Sequence, residues 1–326
     1  MSLVRALPCG LAAALLLTLG LASATEAATL RIGTLKFGTV NWLLDTMAAE
    51  GLEARHGVTV ERAAFAAPQA LTVALQAGEV DLIVSDWLWA MRQRGQGERL
   101  AFAPYSSALG ALMVPRDSPI REVSDLAGKR LGVAGSALDK SWLLLRARTR
   151  RGTGDLAEKA EPIYGAPPLL SEQLKLGRID AVLTYWPFAA RLDAAGYRRV
   201  IDVAELVAAL GVAPQPPLVG FVWRDPLGGS KDAALQGFFA AVHEANRILR
   251  DSDAAWERLR PVMQAANDTE FERLRDYFRA GIPGPWGEAE TRAAEKLFAI
   301  LAEIGGPALV GPRARFDPAL FRSFRN

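Results

Sequence analysis

Short apolar runs alternate with amphipathic stretches along the first two thirds of the chain. TLRIGTL (29–35) and VTVERAAF (58–65) have the length and branched side chains of strands, whereas 41–55 and 68–77 repeat apolar residues at helical spacing. Strands alternating with helices predict parallel sheets covered by helices. The same reading predicts further strands at 80–85, 110–117, 129–135, 160–165 and 179–184, and further helices at 87–95, 140–150, 168–176 and 186–195.

This pattern occurs twice, at an offset of 99 residues. GEVDLIVSDWLWAMRQ (78–93) aligns without a gap on GRIDAVLTYWPFAARL (177–192), and Arg31 and Gly33 align at the same offset on Arg130 and Gly132. We therefore predict two similar α/β lobes. The residues shared by the two long segments are Gly78 and Gly177, Asp81 and Asp180, Trp87 and Trp186, Ala90 and Ala189, and Arg92 and Arg191.

The last third of the chain is predicted to be helical after one more strand. A proline-rich segment, APQPP (213–217), precedes a strand at 218–225. Without a sheet of its own, this part is expected to pack on the first lobe, so that the chain crosses between lobes twice and forms a hinge. The predicted lobes are 29–114 with 218–326, and 115–217. The predicted helices are 232–250, 253–264, 268–280 and 288–304.

Residues 1–28 have the features of a secretory signal peptide. Arg5 precedes an apolar run at 11–22, and Ala22-Ser23-Ala24 offers a cleavage site. The run is shorter than the roughly 20 residues that a membrane span needs, although a retained anchor helix is the alternative. We expect a periplasmic protein without stable membrane insertion. Cys9, the only cysteine, lies before the apolar run, so the mature chain would have no disulfide, thiolate metal site or cysteine nucleophile.

Composition argues against several other functions. The chain has 38 basic and 36 acidic residues, and no basic–aromatic motif that would indicate nucleic-acid binding. His56 and His243 are the only histidines, and neither belongs to a visible nucleophile–base arrangement. We therefore expect no catalysis, no cofactor and no metal, and a monomer. An oxygen-only cation site formed by Asp86 and Asp139 remains the alternative.

The carboxyl ends of the predicted strands are where a ligand would bind, because helix N-termini and polar loops meet there. Four segments qualify: 35–42, 85–89, 134–140 and 184–188. Facing one another across a hinged cleft, they would enclose a small molecule, with Tyr185 and Trp186 as one wall. The candidate ligand-binding residues are Lys36, Phe37, Asn41, Trp42, Ser85, Asp86, Trp87, Ser106, Ser107, Gly135, Ser136, Asp139, Tyr185 and Trp186.

Structural roles compete with this interpretation at several positions. Trp87 and Trp186 match between the lobes and could pack each helix on its sheet. Asp86 and Asp139 each precede a helix and could serve only as N-caps, or could cap and bind a ligand together.

Three stretches carry a resemblance to a known family. LRIGTLKFGTVNWLLDTMAAEGLEARHGVTVE, ALQAGEVDLIVSD and DSPIREVSDLAGKRLGV resemble periplasmic binding proteins of the nitrate/sulfonate/taurine transport group, over about 29–225. The resemblance implies a type II two-lobe fold that closes on a solute and delivers it to an ABC permease and its ATPase. It also places the loop at Gly135 and Ser136, and the loop after the first lobe's third strand, in the cleft.

The resemblance does not identify the solute. LDKSWLLLRA and TYWPFAARL differ from the alkanesulfonate and taurine binders, so a sulfonate, a carboxylate or a heterocyclic or aromatic compound all fit. Two alternatives remain: a ligand-sensing partner of a receptor, and an enzyme similar to the pyrimidine synthase of thiamine biosynthesis. The cysteine-rich motif of that synthase has no equivalent here.

Overall fold

The computed structural model describes residues 28–313 and 315–324. The predicted signal peptide lies outside this part, apart from Ala28, which begins the first strand. Two five-stranded sheets form the framework of the described chain.

The first sheet has the strand order β2-β1-β3-β10-β4. β1 pairs in parallel with β2 and β3, whereas β10 runs antiparallel to both of its neighbours. Its strands are β1 (Ala28–Leu35), β2 (Val58–Phe65), β3 (Leu82–Asp86), β4 (Leu100–Ser106) and β10 (Val219–Arg224).

The second sheet repeats this arrangement in the order β7-β6-β8-β5-β9. β6 pairs in parallel with β7 and β8, and β5 is antiparallel to β8 and β9. Four strands of each sheet therefore share one direction, as predicted for mostly parallel sheets. The five strands of the second sheet are β5 (Gly110–Val114), β6 (Arg130–Ala134), β7 (Glu161–Gly165), β8 (Ala181–Tyr185) and β9 (Arg198–Asp202).

The antiparallel strand of each sheet is the one that the chain enters after crossing from the other lobe. β5 follows the crossing at 107–109, and β10 follows the crossing at 210–218. Two crossings agree with the predicted hinge. The predicted boundary at residue 114 needs a correction, because β5 lies between β8 and β9 and so belongs to the second lobe.

Helices cover both sheets. Gly51, at a φ of 63°, divides the predicted helix at 41–55 into two. The helices are α1 (Val40–Ala49), α2 (Leu52–Arg55), α3 (Pro68–Ala77), α4 (Trp87–Arg94), α5 (Lys140–Arg150), α6 (Leu156–Lys159), α7 (Pro167–Lys175), α8 (Trp186–Ala194), α9 (Val203–Ala209), α10 (Ser230–Asp251), α11 (Asp253–Met263), α12 (Asp268–Ala280) and α13 (Glu288–Val310), with 3₁₀ turns at Val123–Leu126 and Pro318–Leu320.

The C-terminal helices do not pack on the first lobe alone, which corrects the prediction. α10 packs on α1 and β1, but α12 packs on α8 and α13 packs on both α4 and α5. Arg191 of α8 donates hydrogen bonds to the carbonyl oxygens of Met263 and Gln264, at 3.1 and 3.2 Å, and pairs with Glu270. The C-terminal helices therefore connect the two lobes as well as completing the first.

An ion pair with a buried carboxylate joins the amino ends of two strands in the first lobe. Asp81 accepts hydrogen bonds from the Arg31 backbone N–H at 2.9 Å and from Arg31 Nη2 at 2.9 Å. Arg31 Nη2 also donates to the Gly78 carbonyl oxygen at 2.8 Å. Lys231 of α10 adds a second cation, with its Nζ 2.8 Å from both carboxylate oxygens of Asp81.

The second lobe repeats this ion pair at the residues that repeat in sequence. Asp180 accepts from the Arg130 backbone N–H at 2.8 Å and from Arg130 Nη2 at 2.8 Å, and Arg130 Nη2 also donates to the Gly177 carbonyl oxygen at 3.0 Å. The glycine, arginine and aspartate of the 99-residue repeat thus hold the end of each sheet that lies away from the predicted cleft.

Within the described residues, no helix is both long enough and apolar enough to cross a bilayer.

The two ion pairs predict unequal stability losses. The Asp81 side chain is 8% exposed and holds two cations, whereas Asp180 is 33% exposed and holds one. Asp81→Asn removes the charge-assisted hydrogen bonds of two cations that are themselves 39% and 33% exposed to water, so it is expected to cost about 2 kcal/mol. Asp180→Asn is expected to cost about 1 kcal/mol, as for a half-exposed pair. Urea denaturation of both variants measures the difference, and a larger loss for Asp180→Asn would contradict it.

The pH dependence of these losses follows from the carboxyl pKa values. Burial alone would raise the pKa of Asp81, but hydrogen bonds from Arg31 and Lys231 more than offset it and the pKa is lowered. The hydrogen bond from Arg130 lowers the pKa of Asp180. A lowered pKa stabilises the folded state above the unfolded pKa of about 4, so the loss in each variant should shrink as pH falls through the folded pKa.

Candidate ligand-binding site

The two lobes meet at the loops that follow β3 and β6. Asp86 Oδ1 accepts a hydrogen bond from the Trp89 backbone N–H at 2.9 Å, which caps α4. Asp86 Oδ2 accepts from Lys140 Nζ of the second lobe at 2.8 Å. Asp86 therefore caps its helix and also forms an ion pair between the lobes.

A second carboxylate lies beside this pair. Asp139 Oδ1 accepts from the backbone N–H groups of Ser141 and Trp142, at 2.9 and 3.2 Å, and caps α5. Asp139 Oδ2 accepts from the Tyr185 hydroxyl at 3.2 Å. Three of the four predicted segments thus contribute to one polar cluster, which consists of Asp86, Asp139, Lys140 and Tyr185.

Burial and charge shift the pKa values within this polar cluster. Burial raises the pKa of Asp139, and neighbouring Lys140 and the hydrogen bonds only partly oppose the shift. Burial would lower the pKa of Lys140, but Asp86 more than offsets it and raises this pKa. Burial, followed by the charges of Asp139 and Asp86, raises the pKa of Tyr185. Tyr185 therefore acts as a neutral donor.

Gly135 has to be glycine for the Tyr185 hydroxyl to reach Asp139. Its φ is +94°, and an added Cβ would lie 2.7 Å from the Tyr185 hydroxyl oxygen. Gly135 and Ser136 are exposed beside the polar cluster. Ser136 Oγ accepts a hydrogen bond from the Leu138 backbone N–H at 3.2 Å, so this oxygen closes the turn before α5.

The first predicted segment forms an exposed loop with a fixed base. Asn41 Nδ2 donates to the Leu35 carbonyl oxygen at 2.9 Å, which holds the start of α1 against the end of β1. Lys36 is exposed, and the Phe37 side chain is 84% exposed. Asn41 therefore has a structural role, whereas Lys36 and Phe37 are free to contact a solute.

Trp42 and Trp186 come from different lobes and pack edge to face, with ring centroids 6.1 Å apart. Phe278 of α12 contacts both rings, at 5.9 and 6.3 Å, and Trp256 of α11 contacts Trp42 at 6.1 Å. Both tryptophans are buried, so this contact is an apolar seam between the lobes. Sequence reasoning missed Phe278 and Trp256, because their helical spacing is the same as that of ordinary core residues.

Tyr105, near the end of β4, was not among the predicted site residues, although it contacts the first predicted segment. Its hydroxyl donates to Thr39 Oγ1 at 3.1 Å, and burial raises its pKa. Ser106 is the last residue of β4, and Ser107 begins the crossing to the second lobe. Ser106 Oγ accepts from the Ala108 N–H at 3.1 Å, and the Ser107 N–H donates to the Gly281 carbonyl oxygen at 2.8 Å. The Ser106 hydroxyl thus has a local structural partner, whereas Ser107 is held through its backbone by the C-terminal helices.

Trp87 does not lie in the cleft, which corrects the prediction. It is fully buried and packs edge to face on Phe321 and Phe316, at centroid distances of 5.9 and 6.5 Å. The C-terminal segment covers the side of α4 on which Trp87 lies. Ser85 is half-buried at the end of β3, next to Asp86. The two tryptophans matched in sequence therefore have different environments.

Among the described residues, no three histidine, cysteine, aspartate or glutamate side chains are grouped so that they could hold a metal ion. Asp86 and Asp139 already accept hydrogen bonds from helix N-termini, Lys140 and Tyr185. Their arrangement gives no support to the alternative of a hard-cation site.

Comparison with known proteins shows the fold. A family model described as the substrate binding domain of an ABC-type glycine betaine transport system matches residues 28–141. The alkanesulfonate-binding protein SsuA from Xanthomonas axonopodis pv. citri, solved with MOPS bound, superposes with a TM-score of 0.68 at 21% identity, over 92% of this chain and 99% of that chain. The chain has the two-lobe fold of periplasmic binding proteins.

Further solved structures share this fold. The aliphatic sulphonate binding protein SsuA from Escherichia coli has a TM-score of 0.72 at 20% identity, over 90% of this chain and 92% of that chain. The desulfurization enzyme DSZB has a TM-score of 0.60 at 17% identity, over 90% and 97%. A search of the curated proteins finds no match. The two-lobe fold therefore accommodates both solute binding and catalysis.

Asp139→Asn is expected to stabilise the empty protein at neutral pH. Asparagine keeps the side-chain oxygen that caps α5 but removes a half-buried charge. A carboxyl pKa that is raised on folding costs stability above the folded pKa and nothing below the unfolded value of about 4. The rise in melting temperature of the variant over the wild type should therefore disappear on acidification. A variant that melts below the wild type at pH 7 would contradict this expectation.

Proposed function

We propose that this protein is the periplasmic solute-binding component of an ABC importer. It binds a small organic solute between its lobes and delivers it to a membrane permease that works with an ATPase. The observation that carries the proposal is the polar cluster of Asp86, Asp139, Lys140 and Tyr185, which both lobes build at the carboxyl ends of their strands. In open α/β sheets this is the edge at which ligands bind.

The proposed mechanism is a shift between open and closed arrangements. A solute that contacts residues of both lobes binds the closed arrangement more tightly and so favours it. The chain crossings at 107–109 and 210–218 provide the hinge. The contacts of Arg191 with Met263, Gln264 and Glu270 join α8 to the C-terminal helices, so they change when the lobes move apart.

Binding without catalysis suits the site better than an enzyme. The two histidines lie outside the polar cluster: His56 Nε2 is 2.9 Å from Glu244 Oε2, and His243 lies half-buried on α10. Lys140 is paired with Asp86, and the raised pKa of Tyr185 keeps its hydroxyl protonated at neutral pH, so neither is available as a base. The polar cluster therefore offers hydrogen-bond donors, acceptors and charges for recognition.

The direct test is native mass spectrometry of the protein released from the periplasm and kept folded. We expect an adduct of a few hundred daltons or less that leaves on denaturation, and we expect the protein in the periplasmic fraction. A protein that carries no adduct, and shows no thermal shift with sulfonates, carboxylates, amines or heterocycles, would contradict the proposal. A bound ligand at 100 times its Kd should add about 2.7 kcal/mol of stability.

Tyr185→Phe tests the location of the site without identifying the solute. The variant keeps the ring but loses the hydroxyl that donates to Asp139. We expect it to bind the solute about 1 kcal/mol more weakly than the wild type does. Tyr164→Phe is the matched control, since Tyr164 is exposed at the end of β7 and packs edge to face on Trp142. We expect lower solute occupancy for Tyr185→Phe alone. Equal occupancy in both variants and the wild type would place the site elsewhere.

A further inference from the structure

The ion pair between Asp86 and Lys140 occupies the place where the lobes meet. Nζ and Oδ2 are 2.8 Å apart, and the two side chains are only 29% and 21% exposed. Asp139 adds a second carboxylate, which the charge of Lys140 and the hydroxyl of Tyr185 compensate in part. The ammonium of Lys140 thus faces the Asp86 carboxylate across the cleft, with the Asp139 carboxylate next to it in its own lobe.

A solute that enters between the lobes has to divide this pair, because its two members come from opposite sides of the cleft. A simple anion that takes Lys140 would leave the Asp86 carboxylate without the cation it pairs with. A simple cation that binds Asp86 would leave Lys140 with Asp139 only. A partly buried charge that loses its partner is strongly destabilising, so either exchange costs binding free energy.

A solute with both charges avoids this cost. Its acidic group can replace Asp86 as the partner of Lys140, and its ammonium can replace Lys140 as the partner of Asp86. The hydrogen bond from the Trp89 N–H fixes the Asp86 carboxylate, so the acceptor is already oriented. Phe37 and Leu138, exposed on the loops before α1 and α5, can contact the apolar part of the solute.

We propose that Asp86 and Lys140 together select zwitterionic solutes, small molecules with one ammonium and one acidic group. This inference rests on the proposed function and assigns charge selectivity to two residues. It also separates this cleft from sites for simple alkanesulfonates, because the carboxylate of Asp86 disfavours a ligand that carries only a negative charge.

The test uses three probes with the same carbon chain: 3-aminopropane-1-sulfonate, propane-1-sulfonate and propylammonium. Titration calorimetry on the wild type, freed of solute by unfolding and refolding, should give at least about tenfold tighter binding for the aminosulfonate than for the other two, equivalent to about 1.4 kcal/mol. Asp86→Asn should remove most of the preference of the aminosulfonate over propane-1-sulfonate. Lys140→Met should remove most of the preference of the aminosulfonate over propylammonium.

Two matched variants control for the loss of a surface charge. Asp45→Asn breaks a pair with Arg62, and Lys175→Met breaks a pair with Glu172, both outside the polar cluster. These variants should keep the wild-type order of the three probes. Asparagine at position 86 also keeps a side-chain oxygen for the α4 cap, so thermal melting should show a folded protein.

The outcomes separate this inference from the proposed function. Equal binding of propane-1-sulfonate and the aminosulfonate by the wild type, unchanged by Asp86→Asn, would overturn the inference and leave solute binding intact. If no probe binds, the co-purified solute decides: one that lacks a cationic nitrogen overturns the inference. If no probe binds and no solute is carried from the periplasm, both the inference and the proposed function fail.

Discussion

The carboxylate of Asp86 connects the fold to the function. One of its oxygens caps α4 and the other accepts from Lys140 of the opposite lobe. Capping fixes the orientation of the side chain, and this orientation aims the second oxygen across the cleft. Local helix chemistry in the first lobe thereby orients a carboxylate toward the second lobe. Asp139 also caps a helix, α5, but its second oxygen accepts from Tyr185 of the same lobe.

The two copies of the repeat agree more closely at the amino ends of their strands than at the carboxyl ends. At the amino ends, Arg31, Asp81, Arg130 and Asp180 make nearly superimposable ion pairs. At the carboxyl ends, Asp86 aligns with Tyr185 in the 99-residue repeat, so an acceptor in one lobe corresponds to a donor in the other. The repeated residues thus stabilise both lobes in the same way, and the differing residues give the cleft its asymmetry.

The sequence predicted much of this architecture, because apolar periodicity depends on burial, which the sheets and helices enforce locally. The four C-terminal helices were predicted within a few residues of their ends, apart from the longer α13. Both crossings were expected, but the first was placed several residues too late in the chain. Periodicity carries no information on which lobe a helix covers, so the packing of α12 and α13 on the second lobe was missed. It also could not separate Trp87 from Trp186: both follow a buried strand, yet only Trp186 faces the other lobe. The pair between Asp86 and Lys140 was not predicted either, because residues 54 positions apart meet only when the lobes do.

A crystal structure of the protein purified from the periplasm with its solute retained is the most direct test of solute binding between the lobes. We expect density for a small molecule between Asp86 and Lys140, in contact with both lobes, and their direct ion pair broken. An intact pair with the solute bound elsewhere on the protein would contradict the account.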